Sequence, residues 1–242
     1  MLQSRAMARP AVERPPVRGR AGDYQDRELP EGHEIIDGVL VRKAMPGYAH
    51  GSFQLWFGQV LAPYWGPGDG EGPRRPGGKT SGKPGGWLFS SEADIELAPG
   101  QRYLPDVAGW RMDRVTPEDL RDIPIRVAPD WVCEVLSPST AATDLGAKQR
   151  HYHAAGVTHY WLIDPYHTPT AEPPTADPPT ADRLVGTQQL TVLEREGAGY
   201  RTLLATTLDE PVRIEPFTAA SLDLGGLLDL LPATDPGGQK PG

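Results

Sequence analysis

Trp131-Val-Cys-Glu-Val-Leu136 is followed by Ser137-Pro-Ser-Thr140, then Asp144-Leu-Gly-Ala-Lys148 and, past Gly156, His159-Tyr-Trp-Leu-Ile-Asp164. The first and last runs are short and almost wholly apolar, as strands buried on both faces are. The segment between them has helical spacing, hydroxyl residues able to cap its start and a glycine at its end. Two strands joined by a helical crossover lie parallel, so this stretch predicts an α/β fold. Glu134 is the one polar residue of the first run, and a buried carboxylate is costly unless it is paired or bound to a cation. Lys148 falls inside an apolar stripe of Leu145, Tyr152 and Ala155, which turns the lysine toward the sheet.

Upstream, Tyr103-Leu-Pro-Asp-Val-Ala-Gly-Trp110 reads as a further strand carrying Asp106. Two strand-borne carboxylates and one inward lysine suit the binding of a divalent cation and the polarisation of a water.

The series Pro105-Asp106, Glu134-Val-Leu-Ser-Pro-Ser-Thr140, Asp144-Leu-Gly-Ala-Lys148, Ala154-Ala-Gly-Val157 and Tyr160-Trp-Leu-Ile-Asp-Pro165 resembles the Uma family of bacterial endonucleases, a branch of the PD-(D/E)XK nuclease superfamily. Glu34-Ile-Ile-Asp-Gly-Val-Leu40 and Leu222-Asp-Leu-Gly-Gly-Leu-Leu228 extend the resemblance over roughly residues 28 to 230. One departure concerns the lysine. The simplest motif of the superfamily places it two residues after the glutamate, where this chain has Leu136; in the Uma branch it comes from the next helix, which fits Lys148. The resemblance implies a restriction-endonuclease-like fold, a mixed central β-sheet flanked by helices with antiparallel edge strands. It also implies Mg2+ or Mn2+ held by Asp106 and Glu134, with the Val135 carbonyl as a further ligand. Lys148 would position or help deprotonate the attacking water.

The chain of 242 residues fits one domain with tails. We expect an N-terminal disordered arm over 1–27, a nuclease-like domain over 28–231 and a disordered tail over 232–242. Cys133 is the only cysteine, which excludes an intramolecular disulfide and a thiolate zinc site. No apolar run has the length of a signal peptide or a membrane span, so the expectation is a cytoplasmic protein without a membrane partner. The net charge of -8 opposes tight duplex binding by the monomer. Residues 1 to 159 carry 19 basic and 20 acidic side chains, however, so most of the excess acidity is C-terminal.

Glu34 precedes an Asp37-Gly38 hairpin turn, and His50 begins a helix that continues through Phe53, Phe57, Val60 and Leu61. In the family resembled, this helix packs beside the active site, which makes Glu34 and His50 candidates for a supporting shell; a surface carboxylate and a hydrogen-bonded histidine are the alternatives. Residues 66–86 form a loop rich in glycine, proline and basic side chains. Its Gly77-Gly-Lys-Thr-Ser-Gly82-Lys83 falls short of a phosphate loop, because Pro84 replaces the required Ser or Thr and no apolar strand precedes it. Trp87 to Leu97 alternates as a single strand whose polar face carries Glu92 and Asp94, and sequential strands tend to be neighbours, which puts one of them near Asp106. His151 and His153 diverge by about 200° on their helix and cannot chelate one ion together. Residues 168–182 repeat a proline-rich five-residue unit, an extended insertion, and Gln189–Leu193 with Tyr200–Ala205 alternate like an antiparallel edge.

The reading is therefore a divalent-metal-dependent endonuclease acting on DNA, a homodimer if both strands are cut. The alternative is a catalytically inactive nuclease-fold module that binds protein or nucleic acid. A glycosidase using paired carboxylates is weaker, since the inward lysine gives that mechanism no help.

Overall fold

The computed structural model describes residues 21–24, 27–43, 48–68, 84–137, 140–164, 189–207 and 211–224. The expected arm (apart from its last few residues), most of the basic loop, the proline-rich repeat and the tail lie outside the described residues.

Twelve strands are described: β1 (His33–Ile36), β2 (Val39–Arg42), β3 (Trp87–Ser90), β4 (Ile95–Ala98), β5 (Gln101–Tyr103), β6 (Val107–Arg111), β7 (Trp131–Val135), β8 (His159–Asp164), β9 (Gln189–Glu196), β10 (Gly199–Thr207), β11 (Val212–Ile214) and β12 (Phe217–Leu222). Helix α1 spans Tyr48–Leu61; the crossover between β7 and β8 is built from α2 (Ala141–Thr143), a π turn (Asp144–Lys148) and α3 (Gln149–Ala155).

The central sheet has the order β10-β9-β8-β7-β6-β3. Only β7 and β8 run parallel, joined by the helical crossover as the sequence predicts, and the remaining pairs are antiparallel. A second antiparallel sheet has the order β2-β1-β5-β4, and β11 pairs with β12. The β1-β2 turn has φ of 51° at Asp37 and 78° at Gly38, the left-handed values that a primed hairpin turn needs.

Residues alternate between the faces of a strand, and β7 divides accordingly. Trp131 and Cys133 enter a core shared with Phe53, Phe57 and Leu61 of α1 and with Phe217 and Leu222 of β12, whereas Val132 enters a core with Tyr152, Tyr160 and Leu162 under the crossover helix. The first core is aromatic: Phe57 stacks on Trp131 at 5.8 Å, and Trp131 meets Trp161 edge-on at 5.3 Å. Such ring pairs add about 0.5–1.5 kcal/mol each beyond the area they bury. Glu134 thus points away from α1, into the space between the central sheet, the crossover helix and the second sheet.

Three expectations are corrected. Trp87 to Leu97 is not one strand: β3 belongs to the central sheet and β4 to the second, with a bend between them where Glu92 takes φ of 52°. Alternation persists through the bend because both strands bury one face, so periodicity alone does not reveal the break. Leu145 does not face the sheet and is 52 % exposed. The inward stripe is instead Asp144, Lys148 and Tyr152, all buried, because ion pairing can bury charge on a face that an apolar count assigns to leucine. Thr140 at the helix start makes no capping side-chain bond; its hydroxyl lies 2.9 Å from that of Ser137. Among the described residues no helix is long and apolar enough to cross a membrane.

Candidate active site

The register Val107↔Cys133 between β6 and β7 sets Asp106 beside Glu134, on the face opposite α1. The two are cross-linked through backbone amides. Asp106 Oδ2 accepts a hydrogen bond from the Val135 amide at 2.7 Å, and the Asp106 amide lies 3.4 Å from Glu134 Oε2. Asp106 is 1 % exposed and Glu134 2 %.

Lys148 reaches the pair from the crossover helix. Its Nζ lies 3.0 Å from Glu134 Oε1, 3.1 Å from Glu34 Oε1 and 3.2 Å from Asp144 Oδ1. The Asp144 contact is an ion pair without hydrogen-bond geometry. Tyr152, one helical turn beyond Lys148, donates its hydroxyl to Glu134 Oε1 at 2.8 Å. Glu34 Oε1 also accepts the Leu104 amide at 3.0 Å, which ties β1 to the segment leading into Asp106.

A second ammonium, which the sequence reading does not single out, stands on the other side. Lys43 follows β2, and its Nζ lies 2.7 Å from Asp106 Oδ1, 2.9 Å from each oxygen of Glu92 and 2.6 Å from the Leu104 carbonyl. Gln54 of α1 donates to Glu92 Oε1 at 2.9 Å, so α1, whose rings pack on the other face of the sheet, reaches the Lys43 edge of the site through Glu92. The side chain of His50 falls outside the described residues. Asp94 is not brought to the acid pair: the Arg102 guanidinium holds both its oxygens in a fork and also binds the carbonyls of Tyr24 and Arg27. The bend at Glu92 explains the split, since it sends Glu92 toward β6 and Asp94 toward β5. His151 contacts Asp37 and the Tyr103 hydroxyl, and the His153 ring packs on Tyr200, so the two histidines do separate things.

Of the residues that sequence reading passed over, Asp144 carries a signal, since it is spaced i, i+4 from Lys148. Tyr152 reads as one more apolar position. Lys43 carries none, because a lysine after a short strand and an arginine looks like solvated surface.

The electrostatics follow from burial. Glu134 is pushed up to about 8, first by burial and then by Asp106 and Asp144, with Lys148 pulling the other way. Burial likewise raises Asp144. For Lys148 burial alone would lower the pKa, but Glu134, Glu34 and Asp144 outweigh it and hold it well above the ordinary value. Lys43 is raised in the same manner, burial being outweighed by Asp106, Glu134 and Glu92.

Five carboxyl groups, Glu34, Glu92, Asp106, Glu134 and Asp144, thus face two ammoniums, and the acids outnumber the ammoniums even with Glu134 protonated. The donors are hard oxygens, the kind that Mg2+ and Mn2+ take, and the surplus of negative charge fits an added divalent cation. Among the described residues, no three Asp, Glu, His or Cys side chains form a ready cage, since lysines already engage the acids.

A model of the Uma2 family, described as "Putative restriction endonuclease", matches residues 23–225. The chain belongs to the Uma2 family. Its fold is also that of a solved structure, a "putative nuclease belonging to DUF820" from Anabaena variabilis ATCC 29413, at a TM-score of 0.57 and 18 % identity over 89 % of this chain and 99 % of that one. No curated protein matches. Membership of Uma2 agrees with the family resemblance read from the motifs around Asp106, Glu134 and Lys148, and the restriction-endonuclease-like α/β fold agrees with the solved nuclease.

Proposed function

We propose that this Uma2 protein is a divalent-metal-dependent endonuclease that hydrolyses DNA phosphodiester bonds in the cytoplasm, as a homodimer where both strands are cut. One observation carries the reading: Asp106, Glu134 and Lys148 meet on one face of the sheet, at positions where a merely structural core would hold apolar side chains.

Asp106 and Glu134 would hold Mg2+ or Mn2+, with the Val135 carbonyl as a further ligand; the Val135 amide already fixes Asp106 Oδ2. The bound ion would supply Lewis acidity toward the phosphate and acidify a water. The protein's own groups do the rest. Lys148, with its pKa raised by three carboxylates, keeps its proton, which favours holding the water and offsetting charge on the transition-state phosphate over removing a proton itself. Tyr152 and Lys148 together fix Glu134, so its carboxylate is held ready rather than rotating.

The test is direct. Purified full chain incubated with supercoiled plasmid and Mg2+ or Mn2+ nicks or linearises it, and Asp106→Asn and Glu134→Gln each abolish the products. An active Asp106→Asn variant removes the proposed role. A single observation favours the alternative of a non-catalytic nuclease-fold module: Lys43 already occupies Asp106 Oδ1. Under that alternative the plasmid stays intact with every divalent ion, and neither substitution changes anything but stability.

A further inference from the structure

Lys43 is a surface residue by sequence and a buried one by structure. Its side chain is 8 % exposed, and its ammonium sits among four oxygens at 2.6–2.9 Å: both of Glu92, Oδ1 of Asp106 and the Leu104 carbonyl. An ammonium has three protons, so four acceptors exceed what it can serve one to one. A chelating carboxylate, a second carboxylate and a backbone carbonyl are the ligands a hard metal ion collects. Through Asp106 Oδ1 the lysine engages an oxygen that a cation at the Asp106–Glu134 pair would also need.

The surroundings are built to keep that arrangement. Glu92 takes a left-handed backbone conformation, φ 52°, uncommon for a glutamate and sustained only where surrounding structure holds it. Gln54 of α1 donates to Glu92 Oε1, one of the two Glu92 oxygens that Lys43 holds. Three separate segments, the end of β2, α1 and the bend between β3 and β4, therefore converge to place one ammonium against Asp106. No such device is needed to neutralise Glu134, which Lys148 already serves.

We infer that Lys43 is a tethered counter-ion standing in for the divalent metal at Asp106, so that the ion binds only by displacing the ammonium from Asp106 Oδ1. Resting on the metal-dependent reading above, this makes Lys43 a positioning residue that sets the protein's affinity for the ion. In the metal-free chain it holds Asp106 and Glu92 apart from each other's charge. When the ion arrives, Lys43 swings out into solvent.

Mn2+ alone is the probe, and binding is read by calorimetry on the full chain rather than by cleavage. Lys43→Met, close in volume and uncharged, should bind Mn2+ about tenfold or more tightly than the wild type, since a competing positive charge on a shared carboxylate has gone. In the wild type, acetylation of Lys43 by an amine-reactive ester, followed by mass spectrometry, should be slow without Mn2+ and about tenfold faster at saturation, as burial is lost. Wild-type binding that depends on Asp106, with Lys43→Met no tighter or with Lys43 protected throughout, overturns the inference and leaves the metal reading standing. Absence of Mn2+ binding in both proteins overturns the two together. Where Lys43→Met does not fold, the acetylation rates of the wild type decide.

Discussion

Asp106 and Glu134 each reach across to the other's strand: Asp106 Oδ2 takes the amide proton of Val135, the residue after Glu134, while the Asp106 amide points at Glu134 Oε2. Their carboxylates are thus oriented by backbone, which does not rotate, and the charges around them are left to two lysines, Lys43 after β2 and Lys148 of the crossover. The expected behaviour of variants follows from which of these supports is removed.

Lys148→Met takes the one ammonium shared by Glu34, Glu134 and Asp144 out of a buried cluster. Breaking a buried ion pair by removing one partner costs about 3–5 kcal/mol, so the urea midpoint should fall sharply at pH 8. It should recover in part at pH 5.5, where stranded carboxylates can take up protons. Plasmid cleavage should be lost at both values.

The pH dependence of stability has a definite sign. Glu134 is raised by burial from an ordinary 4.5 to about 8, so between those values the folded chain holds a proton that the unfolded chain has released. Its contribution is fully present below about 4.5 and is lost as pH rises through about 8. Melting temperatures of the metal-free protein should fall from pH 5 to pH 8, and Glu134→Gln should flatten that fall. Parallel curves for the two proteins would mean that Glu134 is not the group responsible.

Asp94 is predicted to be structural. Asp94→Asn leaves the Arg102 guanidinium, 1 % exposed, without its countercharge, and should destabilise the protein by about 2–5 kcal/mol. Mn2+ affinity measured by calorimetry should not change, because Asp94 makes no contact with the acid pair or with Lys43. Asp106→Asn should do the reverse to Mn2+ binding and abolish it.

Gly109 lies in β6, three residues after Asp106, and a Cβ there would meet Phe89 Cε1 at 2.9 Å and Trp131 Cε3 at 3.1 Å. Gly109→Ala should overpack the ring stack and cost about 1–3 kcal/mol, read as a drop in melting temperature. Since β6 also carries Asp106 into register with Glu134, cleavage should drop along with stability.

What the sequence discloses is what depends on neighbours along the chain. The apolar run around Glu134, the glycine that ends its crossover helix and the spacing of the following strand specify the parallel pair β7-β8, and the Asp37-Gly38 dipeptide specifies the first hairpin. The acid pair is legible because a carboxylate inside an apolar strand contradicts its surroundings. Lys43 is not legible: its burial comes from Glu92, Leu104 and Asp106, all distant in sequence, and its own neighbours read as solvated surface. Leu145 was misplaced for a related reason. An apolar count assumes that charge faces water, and at Asp144 and Lys148 charge faces charge. The division of Trp87 to Leu97 between two sheets escaped because both halves keep the same period of two.

The wide turn at Asp144–Lys148 has a consequence for the chain's tolerance of length changes. A π turn holds one more residue than an α turn and interrupts an otherwise regular helix. Deleting that residue, Gly146 for instance, would restore uniform winding and leave Asp144 three residues instead of four before Lys148, shifting the carboxylate relative to the ammonium. The helix would gain regularity while the charged cluster lost its phase. This short segment therefore trades local smoothness for chemistry, and a design that ironed it out would unsettle the buried ion pairs of Lys148 for the sake of regular winding.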